Sequence, residues 1–417
     1  MQETQIKLDS EIGSLNAVVV HRPGKEIENM TPASAAEVLY DDILNLQLAV
    51  REHDQLTGVL GKVAEVYEFE DLLRDTLASE SIKGQLVDEL VKLYDCEEMA
   101  PELKELDNGE LASQLFQGTP MRKDSLEKYL SPLRHAIPPL PNAFFTRDAV
   151  MAVNQNVIIG SMAFKARFAE AMLLKTIFKY HEKIHSDGFY FDGTESTSEK
   201  ITIEGGDLLV LREDLIMIGY SERTTTRGID TLMRSFAEKG GVQNFVVVEI
   251  PKSRATIHLD MIFTMVDRDA CVVFPPLITG LLKCRAFHVH FEQRKVKRIV
   301  EYPGVLEALR TQGLDLRPIS CGGDNELRQE REQWSSGANF FAMAPGHIVG
   351  FEHNQATAEE LSKHGFGIVT ADQVINEEVS LQPGRATLVT MHGSELSRGG
   401  GGCRCMTMPL NREMVDW

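Results

Sequence analysis

Two cysteines near the C-terminus lie in a setting that favours a reactive thiolate. Cys403 and Cys405 follow the run Gly399–Gly402 and flank Arg404. Glycines let the backbone approach a ligand closely, and a neighbouring cation lowers the pKa of a thiol, so that the thiolate becomes available as a nucleophile. The spacing does not distinguish Cys403 from Cys405 as that nucleophile.

A histidine and a carboxylate, His258 and Asp260, form a second chemical pair. If they begin a strand, residues two apart point to the same face, and the imidazole and carboxylate line one surface. Histidine is the usual general acid and base near neutral pH. The pair therefore predicts proton transfer at that surface.

Two further acidic motifs precede apolar stretches. Asp148 ends the motif NAFFTRD, and Glu204 and Asp207 enclose two glycines in EGGD. Each motif alone is also typical of an ordinary turn or loop. They gain weight because Asp148 and Asp207 occupy the same place in a repeated pattern.

The repeat consists of a small acid or amide, an apolar strand, a short polar turn and a second apolar strand. It begins at Asp148, Asp207, Asp260 and Asn339, with spacings of 59, 53 and 79 residues. Repeats of this length predict an array in which each unit buries its faces against its neighbours. If the array closes, its leading residues converge on one pocket.

The remaining segments complete this organisation. Helical spacing follows three of the repeats, at residues 164–181, 228–238 and 357–364. The strand at residues 15–22 and the C-terminal segment 386–393 are predicted to supply a fifth unit. Leu and Val at three- and four-residue spacing predict an inserted all-helical bundle at 70–137, which the prolines of IPPLP end. The predicted α/β domain therefore comprises residues 1–69 and 138–417.

Composition excludes several classes of function. The 417 residues carry 43 Lys and Arg against 62 Asp and Glu, a net charge of −19, which argues against binding to nucleic acid. The sequence shows no N-terminal targeting pattern and no apolar run of roughly 18 residues. Six cysteines without a C-x-x-C pair predict neither a disulfide framework nor a zinc site. We therefore expect a cytoplasmic protein that binds no membrane.

Several motifs together resemble the arginine deiminase family of the guanidine-modifying superfamily. In chain order they are VHRP, LYDDI, NAFFTRD, EGGD, SERT, HLD and the terminal RCMTMP. The resemblance runs from about residue 15 to the C-terminus. It implies a five-bladed α/β propeller of ββαβ units with a helical insertion. It also implies hydrolysis of L-arginine to L-citrulline and ammonia without a metal or organic cofactor.

The resemblance also implies roles for five catalytic residues. Cys405 is expected to attack the guanidinium carbon, and His258 to protonate the departing ammonia and then activate water. Glu204 is expected to hold the imidazole in position. Asp148 and Asp260 are expected to bind the guanidinium nitrogens through charge-assisted hydrogen bonds.

The predicted substrate-binding residues are Asn142, Arg167, Arg223, Asp207 and Arg398. Of these, Arg167 and Arg223 are expected to meet the α-carboxylate, with Asn142 as a further polar contact. The glycine loop departs from the family pattern, because Arg398 lies seven residues before Cys405. Whether Arg398 or Arg404 contacts the carboxylate stays open at this point.

Two rival functions remain. One is a hydrolase or amidinotransferase of the same superfamily that acts on agmatine or a modified arginine. The other is a non-catalytic propeller that binds arginine, against which the complete set of catalytic side chains argues. Symmetric association is common for soluble enzymes, so we expect a homo-oligomer.

Overall fold

The computed structural model describes residues 3–32, 34–196, 198, 200–292 and 294–417, and strands and helices alternate along most of them in an α/β fold. The strands are Thr4–Gln5 (β1), Leu15–Val20 (β2), Glu65–Glu68 (β3), Thr119–Pro120 (β4), His135–Ile137 (β5), Val150–Val153 (β6), Asn156–Ile159 (β7), Ile184–His185 (β8), Phe189–Asp192 (β9), Leu208–Arg212 (β10), Leu215–Tyr220 (β11), Asn244–Glu249 (β12), Phe263–Asp267 (β13), Ala270–Val273 (β14), Ala286–Glu292 (β15), Lys295–Tyr302 (β16), Arg317–Ser320 (β17), Phe341–Ala344 (β18), His347–Phe351 (β19), Gly367–Thr370 (β20), Thr387–Met391 (β21) and Met408–Arg412 (β22).

The helices are Lys25–Glu28 (α1), Leu46–Leu60 (α2), Phe69–Thr76 (α3), Glu80–Leu93 (α4), Ala100–Glu105 (α5), Asn108–Gln117 (α6), Leu126–Leu130 (α7), Thr146–Ala149 (α8), Phe168–Tyr180 (α9), Thr226–Lys239 (α10), Pro275–Ile278 (α11), Val305–Thr311 (α12), Glu326–Trp334 (α13), Gln355–Lys363 (α14) and Ala371–Ile375 (α15). Within the described residues, none of these helices is long and apolar enough to cross a membrane.

Five sheets share one local arrangement, in which an antiparallel strand pair, a hairpin in four of them, is extended by a parallel third strand. The arrangement occurs in β6-β7-β9, β10-β11-β12, β13-β14-β17, β18-β19-β21 and β22-β2-β3. A parallel step needs a crossover connection, and α9, α10 and α14 lie in three of these crossovers. They are the helices that the spacing at 164–181, 228–238 and 357–364 predicts.

The fifth sheet is not built as the sequence suggests. The apolar stretch within 386–393 forms β21, which lies between β19 and β20 in the fourth sheet. All five residues of β21 are buried, as expected for a strand with parallel neighbours on both sides. The N-terminal strand β2 instead pairs antiparallel with β22, so both ends of the chain meet in one sheet.

Residues 70–137 contain most of α3 and all of α4 to α7, but this segment is not all-helical. Strands β4 and β5 pair within it as a two-stranded antiparallel sheet. Leu72, Leu86 and Leu115 of its helices belong to the same buried apolar cluster as Val19 of β2 and Val150 of β6. The helices therefore pack directly against the sheets.

The leading residues of the repeats lie in short turns before their strands. Asp148 belongs to α8, Asp207 and Asp260 lie in 3₁₀ turns, and Asn339 stands two residues before β18. His258 is extended and precedes the turn of Asp260. The expectation that His258 and Asp260 share the face of a strand is therefore wrong, because Asp260 lies in a 3₁₀ turn that begins directly after His258.

Candidate active site

A narrow cavity of about 20 Å³, room for about one water molecule, brings together residues from several sheets. Its lining residues are Leu39, Asn142, Phe145, Asp148, Arg167, Arg223, Arg254, Ile257, His258, Gly399, Gly400, Gly401 and Cys405. Two more predicted residues contact this lining directly, Glu204 through His258 and Asp260 through Cys405. The fold thus gathers residues that are up to 366 positions apart in the chain.

The two cysteines of the C-terminal loop occupy different environments. The Sγ atom of Cys405 lies 3.2 Å from Nδ2 of Asn339 and 3.6 Å from Oδ2 of Asp260. Cys403 is fully buried among apolar side chains, with its Sγ 3.7 Å from Sδ of Met391. Cys405, and not Cys403, therefore lines the cavity.

A glycine at position 401 is required for this arrangement. A Cβ atom there would lie 2.5 Å from the ring of Phe145 and 3.0 Å from Cβ of Cys405, closer than ordinary side-chain contacts allow. The backbone of the loop therefore packs directly against Phe145 in the lining of the cavity.

The resting environment keeps the thiol of Cys405 protonated. Burial raises its pKa, and the carboxylates of Asp260 and Asp148 raise it further. Arg404 is too fully engaged with acids to offset these effects. A cation that entered the cavity would oppose both carboxylates and lower this pKa.

His258 is held as an imidazolium by two carboxylates. Its Nε2 lies 2.8 Å from Oε2 of Glu204, and its Nδ1 lies 3.8 Å from Oδ1 of Asp148. Burial lowers the pKa of His258, but Asp148 and Glu204 outweigh burial and raise it above its ordinary value. His258 therefore carries a proton that it can donate at neutral pH.

Asp148 and Asp260 each keep one oxygen without a hydrogen-bond partner among the described residues. Oδ2 of Asp148 accepts from Arg167 at 2.5 Å, and Oδ2 of Asp260 accepts from Arg404 at 2.8 Å. The other oxygen of each, Oδ1, is buried and unpartnered. A buried acceptor without a donor costs free energy, so these atoms favour a ligand that brings N–H groups.

The three predicted carboxylate-binding residues differ in how many of their N–H donors already have partners within the protein. Arg167 donates to Asp148, to Glu170 and to two backbone carbonyls. Nδ2 of Asn142 donates to the backbone oxygen of Val38. Arg223 keeps a buried Nε without a partner among the described residues, although its Nη1 lies 3.4 Å from Glu204.

Three other candidates lie outside the lining. Asp207 braces the turn before Asp260, because its carboxylate accepts from the backbone N–H of Leu259 at 2.9 Å and from Ser221 at 2.6 Å. Arg398 pairs with Asp42 and Glu395 at the surface. Arg404 is buried, and its guanidinium is paired with Glu11 and Asp260.

Sequence reasoning assigned no role at the site to two residues that the structure places there. Asn339 contacts Cys405 and also donates to the backbone oxygen of Asp260 at 3.1 Å. Its place as the fourth leading residue of the repeat was the signal that could have found it. Arg254 lines the cavity, and no local pattern in the sequence marks it.

One acidic cluster has the spacing of a metal site. Single donor atoms of Asp148, Glu204 and His258 all lie within 4.8 Å of one another. The carboxylates, however, already pair with Arg167 and Arg223, and the imidazole pairs with Glu204. The charges of this cluster are therefore balanced by the protein's own cations.

Comparison with known proteins identifies the family. A protein-family model described as arginine deiminase matches residues 36–412. A protein named arginine deiminase from Streptococcus pneumoniae serotype 19F (strain G54) is 34% identical over 436 aligned positions, which cover 100% of both chains. The chain belongs to the arginine deiminase family. The corresponding protein of S. pneumoniae strain CGSP14 is also 34% identical over full length.

More distant solved structures share the fold of this arginine deiminase family member. SxtG, an amidinotransferase from Microseira wollei, superposes with a TM-score of 0.52 at 13% identity and 98% coverage of both chains. The N-terminal domain of ArgZ, a cyanobacterial arginine dihydrolase bound to its product, also has a TM-score of 0.52, at 12% identity, covering 96% of this chain and 99% of that domain. The chain therefore shares its α/β fold with these two enzymes.

Proposed function

We propose that this protein hydrolyses free L-arginine to L-citrulline and ammonia through a covalent adduct on Cys405. The observation that carries the proposal is the pair of unpartnered oxygens on Asp148 and Asp260 beside a buried thiol. A guanidinium supplies the N–H donors that these two oxygens lack, and its positive charge suits a cavity lined by carboxylates. It would also present its carbon atom to the sulfur.

The first half of the reaction forms the adduct. Binding of the guanidinium lowers the pKa of Cys405 and releases the thiol proton to solvent. The thiolate attacks the guanidinium carbon, so that a C–S bond forms. His258 gives its proton to the departing nitrogen, the C–N bond breaks, and ammonia leaves behind a positively charged thiouronium.

The second half returns the enzyme to its starting state. His258, now neutral, takes a proton from water, and the resulting hydroxide attacks the thiouronium carbon. The second proton of that water passes to solvent as the C–S bond breaks, leaving the ureido group of citrulline and the Cys405 thiolate. The thiolate takes up a proton from solvent as citrulline leaves, which restores the resting thiol. Glu204 orients the imidazole throughout and favours its charged form.

The other predicted residues act at the far end of the substrate or support the site. Arg223 retains an unpartnered buried N–H and is the best-placed of the predicted cations for the α-carboxylate. We assign Asn142 to the same end. The contacts of Arg167 and Asp207 support roles in holding Asp148 and the turn before Asp260, and Arg398 remains a candidate at the rim.

We further propose that the five similar sheets are the blades of a five-bladed propeller. Their common strand pairing supports this, as does the meeting of the two chain ends in β2 and β22. Residues 1–69 and 138–417 would form the propeller and residues 70–137 the insertion, whose C-terminal part contains the paired strands β4 and β5. A cytoplasmic homo-oligomer remains our expectation.

The test is incubation with L-arginine followed by measurement of citrulline and ammonia. Wild type should release both in equal amounts, Cys405→Ser should lose turnover, and the matched control Cys403→Ser should retain it. The reverse result for the two cysteines would refute the assignment of the nucleophile. Faster turnover of agmatine or methylated arginine than of L-arginine would favour a different guanidine as substrate.

A further inference from the structure

The α-carboxylate of the substrate needs a cation, and three arginines line the cavity. The guanidinium of Arg167 donates to Asp148, Glu170 and backbone oxygens. Arg223 and Arg254 are therefore the arginines of the lining that can bind the carboxylate. A free amino acid and its decarboxylated analogue differ at this end alone. The selectivity of the site for L-arginine therefore depends on these two side chains.

Arg254 lies where the narrow cavity meets a larger outer one. Arg254, Ile257 and Gly400 line both the inner cavity and an adjoining cavity of about 240 Å³. With its guanidinium buried toward Cys405, the substrate would extend its charged end toward this junction. Arg254 is thus positioned along the path that the substrate's main chain would follow.

The guanidinium of Arg254 is held by exchangeable partners. Its Nε donates to Oδ2 of Asp41 at 2.9 Å, and its Nη2 donates to the backbone oxygen of Leu39 at 2.8 Å. Nη1 donates to no acceptor in the part of the chain that the structure describes. The side chain is 37% exposed, so its ion pair with Asp41 is weak and a second carboxylate can compete for it.

The glycine loop leaves space beside this guanidinium. Gly400 has φ +89°, a conformation that side chains other than glycine rarely adopt, and a Cβ there would meet nothing closer than Nη2 of Arg254 at 3.9 Å. The loop therefore presents no cation at this point. Arg398, the nearby alternative, is paired with Asp42 and Glu395 outside the inner cavity.

We propose that Arg254 is a specificity-determining residue that binds the α-carboxylate of L-arginine, in exchange for Asp41, and supplies the cation that the glycine loop lacks. This inference rests on the proposed hydrolysis of L-arginine. The planar guanidinium is suited to two parallel hydrogen bonds with a carboxylate. Arg223 would complete the same subsite from the buried side.

The experiment measures kcat and KM for L-arginine and for agmatine, which lacks the carboxylate, with agmatine also tested as a competitive inhibitor. Arg254→Gln should lower kcat/KM for L-arginine by about 10- to 100-fold, mainly through KM. The kinetic or inhibition constants for agmatine should change by less than about threefold. Arg254→Lys, which keeps the charge without the fork, should recover part of the loss.

Arg310→Gln is the matched control, because the Nε of Arg310 likewise donates to an exposed aspartate at 2.9 Å, Oδ1 of Asp315, and Arg310 lines neither cavity. It should leave both substrates within about threefold of wild type. An equal loss for L-arginine and agmatine in Arg254→Gln, or no loss for either, would overturn the inference while leaving the proposed function intact. A wild type that releases no citrulline from L-arginine would overturn both.

Discussion

Arg404 pairs with two buried acids, Glu11 and Asp260, whose pKa values shift in opposite directions. Both oxygens of Glu11 accept from Arg404, at 2.9 and 3.0 Å, and one also accepts from the backbone N–H of Val210. Burial raises the pKa of Glu11, but Arg404 and Arg147 outweigh it and lower the value to about 2. Asp260 has one oxygen on Arg404 and one unpartnered, and burial keeps its pKa raised.

The difference shows how one ionic network can serve both stability and binding. Glu11 receives all its hydrogen-bond partners from the protein, so its buried charge is compensated within the folded chain. Asp260 is left one donor short, and the missing donor is what a guanidinium provides. A buried carboxylate therefore binds ligand where the fold leaves its hydrogen bonding incomplete.

The largest effect on activity is expected at Asp260, the acid with incomplete hydrogen bonding. Asp260→Asn should lower kcat/KM for L-arginine by at least about 1,000-fold, because the charge that meets the guanidinium is lost. The free energy of unfolding should fall by less than about 1 kcal/mol or rise, because the amide removes an incompletely paired buried charge, its oxygen can still accept from Arg404, and Arg404 keeps both hydrogen bonds to Glu11. Citrulline assays and urea titration measure the two quantities. A large loss of stability would show that Asp260 is structural in the same way as Glu11.

Glu11→Gln should give the opposite result. Removing one partner leaves Arg404 short of a counter-charge in the interior, which typically costs about 3–5 kcal/mol of unfolding free energy. The folded pKa of Glu11 lies below its ordinary value, so its stabilisation is present above about pH 4.5 and is lost as the pH falls toward 2. Urea titrations should therefore show the gap between wild type and variant narrowing below pH 4.5. A constant gap would count against the ion pair as its source.

The smallest expected effect is a shift in the pKa of the Cys405 thiol, which lies beside Asp260, when a cation binds. L-lysine carries a cation without a carbon that the thiolate can attack, so it serves as an unreactive probe. Its binding should move the midpoint of thiolate formation, followed by ultraviolet absorbance, down by about one pH unit or more. Cys405→Ser titrated under the same conditions provides the blank. Identical midpoints with and without saturating L-lysine would contradict activation of the thiol by a bound cation.

Much of the fold follows from local pattern. The recurring hairpins and the helices after them depend on short-range periodicity, and four of the hairpins appear where the repeat predicts them. The assignment of β21 to a fifth unit failed because an apolar run indicates burial without indicating which neighbours provide it. The pairing of β22 with β2 joins residues about 390 positions apart, which no local pattern reveals.

The site shows the same division. The sequence alone determined which chemical groups are present and their order along the chain: a thiol after a glycine run, a histidine two residues from an aspartate, and acids at equivalent places in a repeat. The tertiary structure decided that Cys405 rather than Cys403 lines the cavity, that Arg404 binds Glu11, and that Arg254 stands at the rim. These outcomes depend on hydrogen-bond partners as far as 393 residues away, and burial and charge act through space rather than along the chain.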